Sequence, residues 1–259
     1  MMETIPAINS RGYYSKSKGC YLHIDEAEGE EKEWIEKYHM LQYNSMFDKK
    51  NRSSFFFPYN LKSKENNQAR GIKMRLSELL AYDNIVIQCH DNPDADTIAC
   101  GFGVYLYLKS KGKEPRLIYG GQNVIRKTNL VMLIRDLKIP IEHVDYLHKP
   151  ELLVMVDCQY HSGNSAVFEA EHIAVIDHHR ICTELPELSE VRSNLGACST
   201  LVWNMLKTEG FDVRGNRELS TALYYGLYTD TGSLTEIVHP LDRDLRDEAN
   251  FDPAIMRKL

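Results

Sequence analysis

No run in this sequence approaches the roughly 18 consecutive apolar residues of a membrane-spanning helix. The N-terminus also lacks the apolar segment of a secretory signal, so a cytoplasmic location with no membrane partner is the expectation. None of the six cysteines, Cys20, Cys89, Cys100, Cys158, Cys182 and Cys198, belongs to a Cys-x-x-Cys pair. Several sit inside apolar runs, which fits buried free thiols in a reducing compartment better than disulfides or a thiolate zinc site. An excess of basic charge is missing too. The balance of 31 Lys and Arg against 37 Asp and Glu gives a net charge of −6, which argues against the long basic surface of a nonspecific duplex binder. It leaves room for a small phosphorylated ligand held by metal ions, and an ordinary cytosolic surface explains the charge equally well. No internal repeat is present.

What is there is enough for a proper core. With 259 residues and 43% of them apolar, the chain suits one large domain or one domain plus an extension. Residues 1–72 read as an N-terminal extension, rich in Tyr, Lys, Glu and Asn, with an acidic stretch from Asp25 to Glu33. Tyr13-Tyr14, Trp34, Tyr38 and Phe55-Phe56-Phe57-Pro58 make it too aromatic for a pure linker, so partial order is expected, with residues 60–70 as the joint. From about residue 73 the texture becomes regular. Leu76, Leu79 and Leu80 recur at helical spacing. Apolar runs at Ile85 to Ile87, Leu117 to Tyr119, Leu152 to Val156 and Ile173 to Ile176 read as buried strands. Helical patterns follow at about 96–111, 126–137, 164–170, 198–209 and 216–228, and the C-terminal stretch from Leu241 reads as a charged helix followed by the start of another. Near-continuous apolar strands alternating with helices predict an α/β fold, a parallel sheet flanked by helices on both faces.

Three of these strands end alike. Ile85 to Cys89 runs into His90-Asp91-Asn92-Pro93-Asp94-Ala95-Asp96, Leu152 to Val156 into Asp157, and Ile173 to Ile176 into Asp177-His178-His179. In an open α/β sheet the ligand site lies beyond the carboxyl ends of the strands, so these side chains would converge on one edge. A single Asp after a strand is more often a helix cap or turn residue. Several together repel one another and need protons or a cation. Carboxylates mixed with imidazoles suit Mn²⁺, Mg²⁺, Co²⁺ or Zn²⁺.

The residues also carry a resemblance. His90-x-x-x-Asp94-x-Asp96, Val156-Asp157-Cys158-Gln159, Asp177-His178-His179 and Tyr228-Thr229-Asp230-Thr231-Gly232 resemble, in order, the four motifs of the DHH phosphoesterase superfamily over about residues 84–235. That superfamily includes single-strand exonucleases, oligoribonucleases, cyclic di-AMP phosphodiesterases and family II inorganic pyrophosphatases. The resemblance implies two divalent ions, Mn²⁺ first, with Mg²⁺ or Co²⁺ as alternatives. His90 and Asp94 would hold one ion, Asp96, His178 and Asp230 the other, and Asp157 would bridge them. His179 would face the scissile phosphate as donor or acid, Asp177 would orient the imidazoles, and the two ions together would activate the attacking water.

Candidate substrate contacts are softer. Gly120 to Asn129 resembles a substrate-side segment of the oligoribonuclease branch, in which Arg126 and Asn129 would reach a phosphate; an exposed helix-face Arg fits as well. Gly196-Ala197-Cys198-Ser199-Thr200 reads as a helix start whose free amides, with Ser199 and Thr200, would suit a phosphate, or as an ordinary N-cap. Asp91 reads as structural, and Thr231 with Gly232 as the turn that presents Asp230. Relatives of this kind usually continue into a smaller C-terminal substrate-binding domain, for which the stretch after Asp230 offers no glycine-rich basic loop. The expectation is a longer parent protein or an extension that substitutes for that lobe.

The expected substrate is a small phosphorylated nucleotide or short single-stranded nucleic acid: a short oligonucleotide, a cyclic dinucleotide or 3′-phosphoadenosine 5′-phosphate. An inorganic pyrophosphatase and a silent metal- or nucleotide-binding module are the alternatives, and a homodimer is left open.

Overall fold

In a computed structural model of the chain, the structure describes three short strands near the N-terminus and residues 74–259 except Val238. The chain divides into two compact units, Met1–Asn66 and Asn67–Leu259. In the first, β1 (Ile8–Asn9), β2 (Gly12–Ser15) and β3 (Cys20–Leu22) form an antiparallel meander, with Tyr13 opposite both Ile8 and Leu22. The expected aromatic contributions of Trp34, Tyr38 and the Phe55 run, and the joint at 60–70, lie outside the described residues.

The second unit opens with a 3-10 helix, Leu76–Ala81, which buries Leu76 and Leu79 and is held at its start by Glu78, whose carboxylate accepts the Arg75 amide at 2.7 Å. Six strands follow: β4 (Ile85–Cys89), β5 (Arg116–Tyr119), β6 (Ile141–His143), β7 (Leu152–Val156), β8 (His172–Asp177) and β9 (Leu188–Val191). They lie in the order β6-β5-β4-β7-β8-β9, every neighbouring pair parallel. The chain therefore builds outward from β4 on one side, then restarts at β7 on the other. The reversal between β4 and β7 opens a crevice at their carboxyl ends, because the connections leave those two strands in opposite directions. The parallel α/β sheet is as expected. The edge strands β6 and β9 went unread because their residues are largely half-exposed and show no apolar run.

Alternation along the strands sends Ile85, Ile87, Leu117, Leu152, Val154, Val156, Ala174 and Ile176 to one face. There they meet helices α1 (Ala95–Ser110), α2 (Thr128–Asp136), α3 (Cys198–Thr208) and α4 (Arg217–Asp230), with α5 (Pro240–Glu248) and α6 (Pro253–Met256) packed outside. Val86, Ile118, Leu153, Met155 and Val175 point the other way, onto Val144, Leu147, Tyr160, Phe168 and Leu185. These covering residues come from connecting segments, so the second helical layer expected on that face is replaced. The helix predicted at 164–170 is not formed. Its backbone is bonded elsewhere: Ala166 donates to Asp91 Oδ1 and accepts from Gln88 Nε2, both at 2.7 Å, and the Phe168 carbonyl accepts from Tyr160. Backbone groups satisfied by side chains of the sheet edge have no need of a helix. Asp91 thus has the structural part expected of it.

Cys89, Cys100, Cys158, Cys182 and Cys198 are free thiols, all but Cys182 buried, and among the described residues no helix is long and apolar enough to cross a membrane.

Candidate metal centre

The predicted cluster is gathered from the β4–α1 junction, the ends of β7 and β8 and the end of α4, and the strand ends bring these groups to one crevice. Asp94 is the N-cap of α1. Its Oδ1 accepts the amides of Asp96 and Thr97 at 3.0 and 3.1 Å, the ordinary work of a capping Asp. Its other oxygen lies 3.6 Å from His90 Nε2. The cap and ligand readings of this residue are therefore compatible, one oxygen each. Asp157 follows β7 directly with φ at 59°, a left-handed conformation that Asp tolerates better than most residues. The turn aims its buried carboxylate between two imidazoles: Oδ2 is 3.8 Å from His90 Nε2, and Oδ1 is 3.4 Å from His178 Nε2. His178 Nε2 also lies 3.4 Å from Asp230 Oδ2, at the end of α4, and 4.0 Å from Asp96 Oδ2.

Three overlapping sets of ligand atoms thus stand side by side: His90 with Asp94 and Asp157, Asp96 with His178 and Asp230, and Asp157 with His178 and His179. Asp157 Oδ1 and His178 Nε2 are both buried without a hydrogen-bond partner. An orphaned acceptor of this kind is costly unless something positive meets it. The separations suit donor atoms that share a cation through bonds of about 2.0–2.3 Å. The donor set is oxygen and imidazole, with no thiolate among these groups, which fits a hard or borderline divalent ion.

The electrostatics agree. Burial, then the charges of Asp230 and Asp94, pushes Asp96 up to about 7, partly offset by His178. Burial followed by the charge of Asp96 holds Asp157 well above the usual carboxylate range. Burial alone would lower His178, but the Asp230 carboxylate 3.4 Å from its Nε2 and the charge of Asp96 outweigh that and carry it to about 9. The cluster therefore binds protons tightly. Asp96 and Asp157 favour folding at low pH, and the Asp96 contribution is lost as pH rises through about 7. His178 acts in the same sense, its contribution complete below 6.5 and lost as pH rises through about 9. Metal-free protein should accordingly melt at a lower temperature at pH 9 than at pH 6, and Mn²⁺ should raise the melting temperature more at the higher pH, because it competes with those protons. A pH-independent melting curve without metal would contradict this.

Asp177 and His179 form a pair at the rim of the cluster, with His179 Nδ1 3.7 Å from Asp157 Oδ1. Asp177 Oδ1 accepts the amides of His178 and His179 at 2.8 and 3.2 Å and His179 Nδ1 at 2.8 Å. That hydrogen bond raises the His179 pKa and leaves Nε2 as the free nitrogen of a half-exposed ring. On Asp177 itself, burial works upward, but the bonds from His179 and Gln159 win and keep it ionised to lower pH. Gln159, whose role the sequence did not disclose, donates to Asp177 Oδ2 at 2.7 Å and to the Arg180 carbonyl at 2.9 Å, and accepts the Cys182 amide. Its place two residues after Asp157 in the second motif was the available signal.

The expected substrate contacts need correction. Ser199 and Thr200 are buried, so neither side chain is open to a ligand. The first amides of α3 are taken as well: Cys198 N and Ser199 N donate to the two oxygens of Asp96 at 2.7 and 2.8 Å. Ala197 has no side-chain oxygen to cap this helix, and Asp96 does so from α1. Asn129 bonds to Tyr225 Oη at 2.9 Å, and Tyr225 lines an aromatic pocket of about 420 Å³ with Tyr224, Tyr228 and Phe251. Helical spacing sets these tyrosines on a different side of α4 from Asp230, so Asn129 belongs to that wall and not to the crevice. Arg126 is exposed, without a hydrogen bond or ion pair among the described residues. Thr231 and Gly232 follow Asp230 as the helix-ending turn expected, with Thr231 Oγ1 on the Leu227 carbonyl and Gly232 at φ 55°.

Gly226 was also missed, although an isolated glycine within a helical pattern is a recognisable signal. One turn before Asp230, it lets α4 close on α1 and α3: a Cβ there would stand 2.2 Å from Ser199 Oγ and 2.9 Å from Asp96 Oδ1. Gly226→Ala should therefore cost about 1–3 kcal/mol by overpacking and weaken Mn²⁺ binding through Asp96. Urea midpoints and metal titration of the same variant check both, and an unchanged midpoint would show the contact to be slack.

Comparison with known proteins places this geometry. Residues 84–227 match the family described as DHH family, N-terminal domain, so the matched stretch contains His90 to His179 and ends three residues before Asp230. The cyclic-di-AMP phosphodiesterase GdpP of Geobacillus thermodenitrificans is 29% identical over 184 residues, 65% of this chain and 28% of that protein. A probable manganese-dependent inorganic pyrophosphatase of Staphylococcus haemolyticus is 24% identical over 168 residues, 63% of this chain and 54% of that protein. The chain thus corresponds to between about a quarter and a half of these relatives. Among solved structures, an exopolyphosphatase-related protein from Bacteroides fragilis shares the fold, with a TM-score of 0.51 at 18% identity over 71% of this chain and 59% of that one.

Proposed function

This chain belongs to the DHH family, and from that premise we propose that its crevice hydrolyses phosphoester bonds of small nucleotide substrates with the help of two divalent ions, manganese in the first instance. The observation that carries the reading is the carboxylate of Asp157, held between His90 and His178 with one oxygen toward each. The mixed oxygen and imidazole donors support manganese, as does a relative named for dependence on that metal. Kinship with a named cyclic-di-AMP phosphodiesterase supports a nucleotide.

His90, Asp94 and Asp157 would hold one ion, and Asp96, His178, Asp230 and Asp157 the other. Such ions supply a water of lowered pKa and neutralise the charge on phosphoryl oxygens. The remaining work falls to the chain. Asp177 holds His179 at Nδ1, so that Nε2 is the nitrogen free to donate a proton to the leaving oxygen. Gln159 fixes Asp177 from behind. Asp94 and Asp96 are anchored to the starts of α1 and α3, which keeps two ligands rigid while the substrate side stays open.

The test is direct. Metal-free protein would be reloaded with Mn²⁺ and offered a dinucleotide, cyclic di-AMP and pyrophosphate. Mononucleotide or linear dinucleotide product is expected. Orthophosphate from pyrophosphate alone would make it a pyrophosphatase, and binding without product would make it a silent module.

A further inference from the structure

Asp242 lies in the first turn of α5 and is fully buried, yet neither the four motifs nor the mechanism above uses it. Its Oδ2 accepts the Gly196 amide at 3.0 Å, while its Oδ1 has no hydrogen-bond partner. The peptide that Asp242 grips is the one joining Leu195 to Gly196. The carbonyl at the other end of that peptide, Leu195 O, lies 3.2 Å from His178 Nδ1. We infer that Asp242 is a positioning residue for His178, acting through the Leu195–Gly196 peptide to fix the ring and strengthen its Nε2 as a donor.

The physical chain is short. A carboxylate beside the N–H of a peptide polarises it, draws electron density toward the carbonyl oxygen and makes that oxygen a stronger acceptor. A stronger acceptor at Nδ1 holds the proton there and leaves Nε2 facing Asp230, Asp157 and Asp96. Metal-binding histidines usually find such a carboxylate or carbonyl behind them, which raises their basicity. Here a carbonyl is in contact and a carboxylate stands one peptide further back. The packing is tight enough to enforce it: a Cβ on Gly196 would stand 2.8 Å from Thr231 Cγ2 and 3.1 Å from Asp242 Oδ2. Thr231 follows Asp230 directly, so the same slot registers both ligands of one ion. Burying a carboxylate with one oxygen unsatisfied is costly, and a role confined to pinning α5 would be served by a neutral acceptor.

This inference rests on the reading of His178 as a metal ligand, and the experiment separates the two. In metal-free protein, proton NMR of the Gly196 amide and of the His178 Nδ1–H would be compared for wild type, Asp242→Asn and Asp242→Ala. Asp244→Asn, on the exposed side of the same helix, controls for charge alone. Both resonances should move upfield in Asp242→Asn, and Mn²⁺ affinity measured by calorimetry should fall about tenfold, the lower end of the range for such supporting partners. A shift of Gly196 with an unmoved His178 proton would reduce Asp242 to a helix anchor and overturn the inference. So would equal loss in Asp244→Asn, or Mn²⁺ affinity within twofold of wild type in Asp242→Asn. Should Asp242→Ala fail to fold, the Asn variant still decides. Wild type that binds no Mn²⁺ would sink the metal-centre reading, and the two proton shifts would then judge Asp242 by themselves.

Discussion

Asp157→Asn is expected to reduce Mn²⁺-dependent turnover on the order of a thousandfold or more, the scale on which an interdependent catalytic unit is lost. Asn is the informative substitution because it keeps the size of the side chain and tolerates the left-handed backbone at this position, where Ala would add a strain of its own. The loss should come with a change in metal stoichiometry, since Asp157 faces both His90 and His178. A second consequence has the opposite sign. Burial and the charge of Asp96 make the ionised Asp157 unfavourable. Removing that charge should therefore stabilise the metal-free fold above neutral pH while abolishing the stabilisation conferred by Mn²⁺. Calorimetric titration and melting curves at pH 8 read both effects. Retention of two-ion binding in this variant would falsify the bridging assignment.

His179→Ala should behave differently, lowering kcat by about 10²–10⁴-fold, the usual contribution of a positioned proton donor, while Mn²⁺ binding stays near wild type. The ring is bonded to Asp177 and stands farther from Asp157 than His178 does, 3.7 Å against 3.4 Å. The pH profile separates this from general damage. A histidine acting as acid works below its pKa, which Asp177 raises here, so the wild-type rate should fall on the alkaline side as His179 loses its proton. The variant should lack that alkaline fall. Unaltered kcat, or an alkaline limb that persists, would remove His179 from the proton-transfer role and leave the metal ligands untouched.

Much of the fold was legible because parallel strands covered on both faces must be apolar nearly throughout. Leu152 to Val156 and Ile173 to Ile176 could hardly be anything else. The same logic hid β6 and β9, whose sequences Ile141-Glu142-His143 and Leu188-Ser189-Glu190-Val191 carry polar residues because edges face solvent. It also failed at 164–170, where Asp91 and Gln88, more than 70 residues earlier, claim the backbone of Ala166. Ser199 and Thr200 were misplaced for a similar reason. A helix start without a side-chain cap looks like an open anion site until a carboxylate 102 residues away is found to occupy it.

The sequence by itself determined which chemistry was possible: carboxylates and imidazoles at the ends of buried strands, ordered as in one family, and a sheet that must gather them on one rim. Only the tertiary structure decided how each group is spent. It split Asp94 between a helix cap and the centre, turned the two oxygens of Asp157 toward different histidines, committed Asp96 to the amides of α3, and set Asp242 behind His178. Those outcomes depend on hydrogen-bond direction and on contacts of a few tenths of an ångström between residues far apart in the chain. Residue type and local spacing carry the first kind of information, whereas packing alone supplies the second.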